Sequence, residues 1–312
     1  MVFPSDPEIG LLPELRFDLA GGNTRIVHPP TAAYSAVAHE LADALAALTD
    51  VRPTVSEEGG PETLVGPGPW LVLGNVMESE WVRRLYYESY DFTDLAFPGP
   101  GGYTLRTIRD PLGTGAHVIV VGGSDIGGVS EAVTQLVARV RRHGAVLGYF
   151  NEVKLGQWVT PQELDMVRYL ADRDEDWGRV GDSGSWEYME HIAACGVGYL
   201  RTADERYLRL FRRELHYFKS HDVYAPNPEA PSQIHGRIYV LLILWDLLQD
   251  HPLFTPDDRR EIDAMFLYLE RSGEGVVQIS DRALTHAVRF NHDTRAALDA
   301  FFVGRYFDRR HH

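Results

Sequence analysis

Apolar and polar positions follow two different periods along the first half of the chain. Residues 25–28 read as a short strand, and 31–48 follow with apolar side chains at helical spacing: Tyr34, Val37, Ala38, Leu41, Leu45 and Leu48. A buried strand over 70–73 closes on Gly74 and Asn75. The spacing then predicts a helix over 77–87 with Trp81, Leu85 and Tyr86 inward. Residues 103–109 alternate, 110–115 are rich in turn formers, and 117–121 carry the most buried strand signal in the chain, so a hairpin is expected. The glycine-rich stretch Gly122 to Gly128 turns the chain into a helix over 129–142, with Val133, Leu136, Val137 and Val140 on one face.

Beyond about residue 150 the strand pattern stops and helix starts recur. Thr160 with Glu163, and Thr202 with Glu205, have capping-box form; Thr255 followed by Pro256 reads as an N-cap with proline at the first helical position. Residues 186–200, 238–248 and 296–307 are apolar enough for core helices, giving roughly seven helices in series. The stretch 221–232 is interrupted by Pro226, Pro228 and Pro231, so it reads as an irregular loop, either lining a cleft or simply connecting.

Composition narrows the function classes. The 312 residues suit two cores. No apolar run approaches the roughly 20 residues of a membrane span, so no membrane partner is expected. A formal charge of -15 argues against a nucleic-acid partner and requires a local basic patch for any polyanion. Cys195 is the only cysteine, which excludes an intrachain disulfide and a cysteine-based zinc site. The first residues lack a basic and then apolar leader pattern, so a cytoplasmic protein is expected from the sequence as written.

Several motifs fail on inspection. Gly122 to Gly128 lies between a strand and a helix, but it lacks the Lys-Ser/Thr of a phosphate loop and the dinucleotide spacing; tight turning and close packing explain its glycines better. Gly181 to Gly184 is followed by Ser185 where a serine-protease string has glycine. His39-Glu40 opens a zincin-like string, but Asp43 stands where the second histidine belongs. Glu187, Glu190 and His191 share a helix face, which reads as a solvated polar face before it reads as a ligand set. No cofactor and no metal site is expected.

The strongest constellation comes late. Arg289, Asn291, His292 and Arg295 precede Arg305 and Tyr306. From 282 onward six arginines (Arg282, Arg289, Arg295, Arg305, Arg309, Arg310) face three acids (Asp293, Asp299, Asp308), reversing the sign of the whole chain. A second polar cluster, Gln233, His235, Arg237 and Tyr239, opens the helix after the proline loop. Cleaving a uronic-acid polysaccharide by β-elimination needs a group that neutralises the carboxylate, a base and an acid for the leaving oxygen. Asn291 suits the first role, His292 or His235 the second, and Tyr239 or Tyr306 the third. Arg289, Arg237, Gln233, Tyr306 and Arg295 suit substrate binding. The bland alternative is that Asn291 caps a helix and His292 is structural.

The string Phe290-Asn-His-Asp-Thr294, with a helix ending Gly304-Arg-Tyr-Phe307, resembles the Asn-His segment of the α/α-toroid polysaccharide lyases, the alginate lyase and heparinase II/III-like group. The helical stretch 235–269 is similar to toroid helices of that group. The first half resembles the noncatalytic α/β domain that precedes many glycosidases and lyases, in its Leu48-Thr-Asp50 helix end, its Val72-Leu-Gly-Asn75 strand and its Gly122-Gly-Ser-Asp125 turn. The resemblance implies a two-domain α+β protein. Residues 1–155 would form an α/β sandwich-like noncatalytic domain, and 156–312 an incomplete α/α toroid. It implies an acidic polysaccharide or oligosaccharide as partner, with Asn291 as carboxylate neutraliser and His292 or His235 handling the proton. A full toroid takes more helices than this, so a truncated piece that self-associates through exposed apolar helix faces is expected. Two other readings stay open: a glycoside hydrolase on the same toroid, with carboxylates such as Glu187 and Asp246 or Asp293, and a noncatalytic glycan-binding or scaffold fragment.

Overall fold

A computed structural model of the protein describes residues 16–59, 66, 68–156, 186–223, 238–272 and 291–310. They divide into an α/β unit within Pro13–Thr160 and a helical unit within Pro161–His312. The protein is of the α+β class.

In the α/β unit a six-stranded sheet has the order β3-β2-β4-β6-β5-β8. Its strands are β2 (Arg25–His28), β3 (Thr54–Glu57), β4 (Pro69–Gly74), β5 (Tyr103–Ile108), β6 (His117–Gly123) and β8 (Asn151–Lys154). All run the same way except β5, which pairs antiparallel with β6, as the hairpin pattern predicts, and with β8, a strand the pattern does not predict. A small second sheet pairs β1 (Phe17–Asp18) with β7 (Val146–Leu147). Side chains alternate across a strand. Leu71, Leu73, Ile119 and Val121 therefore face α1 (Ala32–Thr49) and α3 (Ile126–His143), while Trp70, Val72, Val118 and Val120 face α2 (Glu80–Tyr87). Covering both faces requires apolar residues at both parities, hence the unbroken apolar runs of β4 and β6.

Two helices start elsewhere than the periodicity predicts. α2 begins at Glu80 rather than Met77, because the Asn75 side chain accepts from the Met77 and Glu78 N–H groups at 2.9 and 3.2 Å and folds 77–79 into a turn; Ser79 then caps the helix. α3 begins at Ile126 rather than Val129, because the Asp125 carboxylate caps it by accepting from Gly128 N–H at 2.8 Å. Gly128 lies inside the first turn because backbone approaches it: a Cβ there would meet the Gly102 carbonyl oxygen at 2.1 Å.

The helical unit contains α4 (Trp186–Thr202), α5 (Glu205–Tyr217) continuing into a π-helical turn over Phe218–Val223, α6 (Ile238–Leu248), α7 (Pro256–Ser272) and α8 (Asn291–Arg310). The Thr202 capping box does not form. Thr202 Oγ1 instead donates back to Gly198 O at 2.6 Å, and Asp204 caps α5 by accepting from Arg206 N–H, since Ala203 takes a left-handed φ of 56° in the tight α4–α5 turn. The Thr255 cap does form, reciprocally: its hydroxyl oxygen accepts from Asp258 N–H at 3.1 Å, and Asp258 accepts from Thr255 N–H at 2.8 Å. The start expected at Thr160 lies outside the described residues.

Contacts fix the helix directions. α4 and α5 form an antiparallel hairpin, with Tyr188 on Glu214 and Gly198 against Tyr207. α6 and α7 form a second, joined by the Trp245 indole donating to Asp263 at 2.8 Å. α5 and α7 run side by side in the same sense, from Arg212–Asp258 to Lys219–Glu261. α6 and α8 also share one sense: Tyr239 meets Asp299 and Phe302, and Gln249, just past the end of α6, meets Tyr306. Two hairpins thus stand side by side with α8 starting a third row position. Their shared core includes Cys195, Phe211, Trp245, Phe266 and Tyr306.

Asp258 ties the row of α5 and α7 together. Burial works against its charge, but donors on Arg212, Thr255 and His216 outweigh burial and hold its carboxyl well below the usual carboxylate range. A folded value below the unfolded one stabilises the fold above the ordinary carboxylate value and loses that contribution as pH falls. The helical unit is therefore expected to weaken as pH drops below about 4, and Asp258→Asn to flatten that limb in urea titrations followed by circular dichroism. An unchanged acid limb in the variant would remove Asp258 from this role.

Candidate functional site

Of the sequence-predicted residues, Tyr239 and the backbone of Asn291, His292 and Arg295 lie toward one end of the α6–α8 pair, and Tyr306 does not. Tyr239 lies in the first turn of α6, its half-buried ring stacked on Phe302 of α8 at 5.7 Å and 21° between planes. Its backbone N–H donates to Asp299 Oδ1 at 2.9 Å. Asp299 is the residue that sequence reasoning missed. Counted only as a charge in the late basic stretch, it satisfies one of the amide groups that a helix leaves open at its N-terminus. Its eight-residue distance from Asn291 on an otherwise amphipathic helix gives no signal of this.

Asn291, His292 and Arg295 belong to the first turns of α8. Eight residues separate Asn291 from the level of Tyr239, a rise of about 12 Å at helical pitch. Because α6 and α8 share one sense, Asn291 stands off the same end of the pair from which the chain enters α6. Gln233, His235, Arg237 and Arg289 lie outside the described residues, and so do the side chains of Asn291, His292 and Arg295. α8 begins at Asn291, five residues before the start that periodicity predicts, so Asn291 opens the helix.

Tyr306 requires a correction. Expected to bind substrate or donate a proton, it is 1% exposed in the core of the helical unit. Its hydroxyl donates to Asp263 Oδ1 at 2.6 Å and lies 3.0 Å from Gln249 Oε1. About four helical turns beyond Asn291 on α8, it falls on the packed side between α6 and α7, where an apolar ring with a polar tip needs an internal partner. Tyr306→Phe is expected to cost about 2 kcal/mol of stability by stripping a donor from a buried carboxylate, with turnover of the folded protein unchanged. A turnover loss without a stability loss would return Tyr306 to the site.

The weaker candidates separate. His191 is buried, with Nε2 4.0 Å from Cys195 Sγ, whereas Glu190 is exposed, so the two do not share one polar face. The side chains of Glu187 and Asp293 lie outside the described residues. Asp246 is buried in α6. Among the described residues no group of three or more His, Cys, Asp or Glu side chains is placed to hold a metal ion, and no helix is long and apolar enough to cross a membrane.

In the α/β unit, both places where open sheets usually bind ligands are filled by the chain's own groups. At the N-terminus of α3, where a phosphate would sit, Asp125 accepts from both Gly128 and Gly101 N–H, and Ser124 Oγ accepts from Gly99 N–H at 2.8 Å. At the carboxyl ends of β2 and β4, where the strand order switches direction, the Tyr34 hydroxyl donates to Glu78, and Asn75 donates to Glu78 and to Gly123 O at 3.1 and 3.2 Å. Nearby, Ser79 and the Glu80 N–H donate to Glu58. Burial raises the Glu58 carboxyl, and burial followed by the bond to Glu78 raises the Tyr34 phenol. No family model and no curated protein sequence matches the chain.

Proposed function

We propose that the helical unit is an arc of an α/α toroid and that the end carrying the N-termini of α6 and α8 binds the uronate of an acidic polysaccharide cleaved by β-elimination. The observation that carries this reading is the shared direction of α6 and α8, fixed by Tyr239 on Asp299 and Phe302 and by Gln249 on Tyr306. It puts the Tyr239 and Asn291 segments off one end. In support, two hairpins in register, with α5 and α7 pointing one way and α6 and α8 the other, are the repeating layout of a toroid. Two helix N-termini at one edge also favour a bound anion.

In this mechanism Asn291, Arg289 and Arg295 neutralise the substrate carboxylate, which acidifies the neighbouring C–H. His292 or His235 takes that proton. The electron pair forms a carbon–carbon double bond, the glycosidic C–O bond breaks, and Tyr239 protonates the leaving oxygen. Charge-assisted donors aimed at the developing enolate are worth the most here.

The test incubates the protein with polygalacturonate, alginate and glucuronate-containing glycosaminoglycans and follows ultraviolet absorbance of the unsaturated product together with new reducing ends. Elimination gives both signals in step. Reducing ends without absorbance would replace the reading by hydrolysis, and neither signal on any uronate polymer would leave a glycan-binding piece without turnover.

A further inference from the structure

Three exposed apolar side chains of the α/β unit stand on turns bonded to one another at the carboxyl end of the sheet: Met77 (63% exposed), Leu95 (52%) and Ile126 (36%). Asn75 Nδ2 donates to Ser124 O at 3.4 Å, Ser124 Oγ donates to Asp94 O at 2.6 Å, and Val76 N–H donates to Thr93 O at 2.9 Å. The three turns are thereby tied into one edge. Each apolar residue is held out by the polar residue before it. Asn75 Oδ1 accepts from Met77 N–H, Asp94 Oδ1 accepts from the Ala96 and Phe97 N–H groups at 2.7 Å, and Asp125 caps the helix that Ile126 opens. Because Tyr34, Asn75 and Glu78 fill the crevice at this end with bonds to one another, the edge offers a surface rather than a pocket.

Charge selects the occupant. The segments that build the edge are 57–59, 75–83, 91–99 and 124–128, the first joined to it where Ser79 Oγ and Glu80 N–H donate to Glu58. Glu57, Glu78 and Glu80 are exposed on them, and Glu58, Asp91, Asp94 and Asp125 are buried or half-buried. Against these stands one cation in the same segments, the half-buried Arg83, whose Nε donates to Val76 O at 3.1 Å. At the flank Lys154 and Glu131 lie 3.9 Å apart and offset each other. We propose that this edge docks a basic, amphipathic segment of a partner protein. Its apolar side chains would cover Met77, Leu95 and Ile126, and its lysines or arginines would lie along the exposed glutamates. Since hydrogen-bonded turns already fix the three apolar residues, little freedom is lost on binding. An anionic polymer or lipid surface is repelled by the same charges, and a second copy meeting the edge about a two-fold axis would set carboxylates against carboxylates. The inference does not rest on the reading of the helical unit given above.

The experiment is fluorescence anisotropy of a labelled synthetic peptide of leucine and lysine at helical spacing, titrated with the full chain. Two further peptides carry glutamate in place of lysine, or serine in place of leucine. The leucine–lysine peptide is expected to bind, and each of the other two to bind about ten-fold more weakly or less. Met77→Ser combined with Leu95→Ser should weaken binding about ten-fold, and Glu78→Gln combined with Glu80→Gln about three-fold. Thermal unfolding midpoints of the first pair should stay unchanged, because both side chains are at the surface. Tyr87→Ser, which removes a large exposed side chain from α2 away from the edge, should bind like the wild type. No binding of the leucine–lysine peptide, equal binding of the serine–lysine peptide, wild-type binding by the Met77 and Leu95 variant, or an equal loss in Tyr87→Ser would each overturn the proposal. Sedimentation of the chain alone tests the other occupant: self-association that disappears in the Met77 and Leu95 variant would give the edge to a second copy and overturn the choice of a foreign segment.

Discussion

Asn291→Ala is expected to lower turnover of a uronate polysaccharide by about 100-fold or more, on the order of what one preorganised donor to a developing oxyanion contributes. The proton to be removed is weakly acidic, and it becomes transferable only while the adjacent carboxylate is neutralised, so the loss should fall on kcat and on kcat/KM alike. Asn291 opens α8, where its backbone amide belongs to the set of N–H groups that have no partner within the helix. Alanine is a poorer helix-start residue than asparagine, which adds a stability loss of about 1 kcal/mol if Asn291 also caps. Steady-state rates alongside a urea unfolding curve separate the two. A variant with wild-type turnover would remove Asn291 from the chemistry, and one that merely unfolds earlier would make it a cap.

Gly128→Ala should be the most damaging small substitution in the α/β unit, at about 3 kcal/mol, near the upper end of what overpacking costs. The added Cβ would lie 2.1 Å from Gly102 O, an impossible contact with backbone rather than with a flexible side chain. Gly102 cannot retreat. Its N–H donates to Gly99 O at 2.8 Å, Gly99 N–H is held by Ser124, Gly101 N–H by Asp125, and a Cβ on Gly102 would itself meet Gly156 N at 2.6 Å. Gly127→Ala is the control. Its Cβ would approach only Asp125 Oδ1, at 3.2 Å, so it should remain within about 1 kcal/mol of the wild type. Chemical denaturation of both variants checks the contrast; equal stabilities would mean that the loop before β5 is not held against α3 as described.

How much was legible in the sequence depended on how many sides of an element are buried. β4 and β6 announce themselves because apolar residues fill both faces, α1 because its burial follows helical spacing, and α6 because it is apolar almost throughout. β3 and β8 are edge strands of the sheet with few apolar residues, so their pattern carries little signal. The turn residues Asn75, Asp125 and Asp204 displaced the starts of three helices, each by a side-chain bond to a nearby N–H group that competes with periodicity.

The candidate site was legible by residue type and not by placement. Tyr239 and Tyr306 have similar neighbours in sequence, an apolar helix around a phenol, yet one lies in the first turn of α6 and the other in the core. Only the packing of α6, α7 and α8 distinguishes them. On α2 the sequence pattern turns Trp81, Leu85 and Tyr86 inward, whereas the structure buries Val82 and Leu85 and leaves Trp81 and Tyr86 half-covered, a rotation that brings Arg83, Arg84 and Tyr87 to the outside.

Hydrogen–deuterium exchange with and without a short oligogalacturonate asks most directly whether the chain around 233–239 and the chain around 289–295 hold one sugar carboxylate. Slower exchange in both stretches together, and not with the methyl-esterified oligosaccharide, is the expected result. Protection of only one stretch, or of neither while the oligosaccharide is bound, would contradict it.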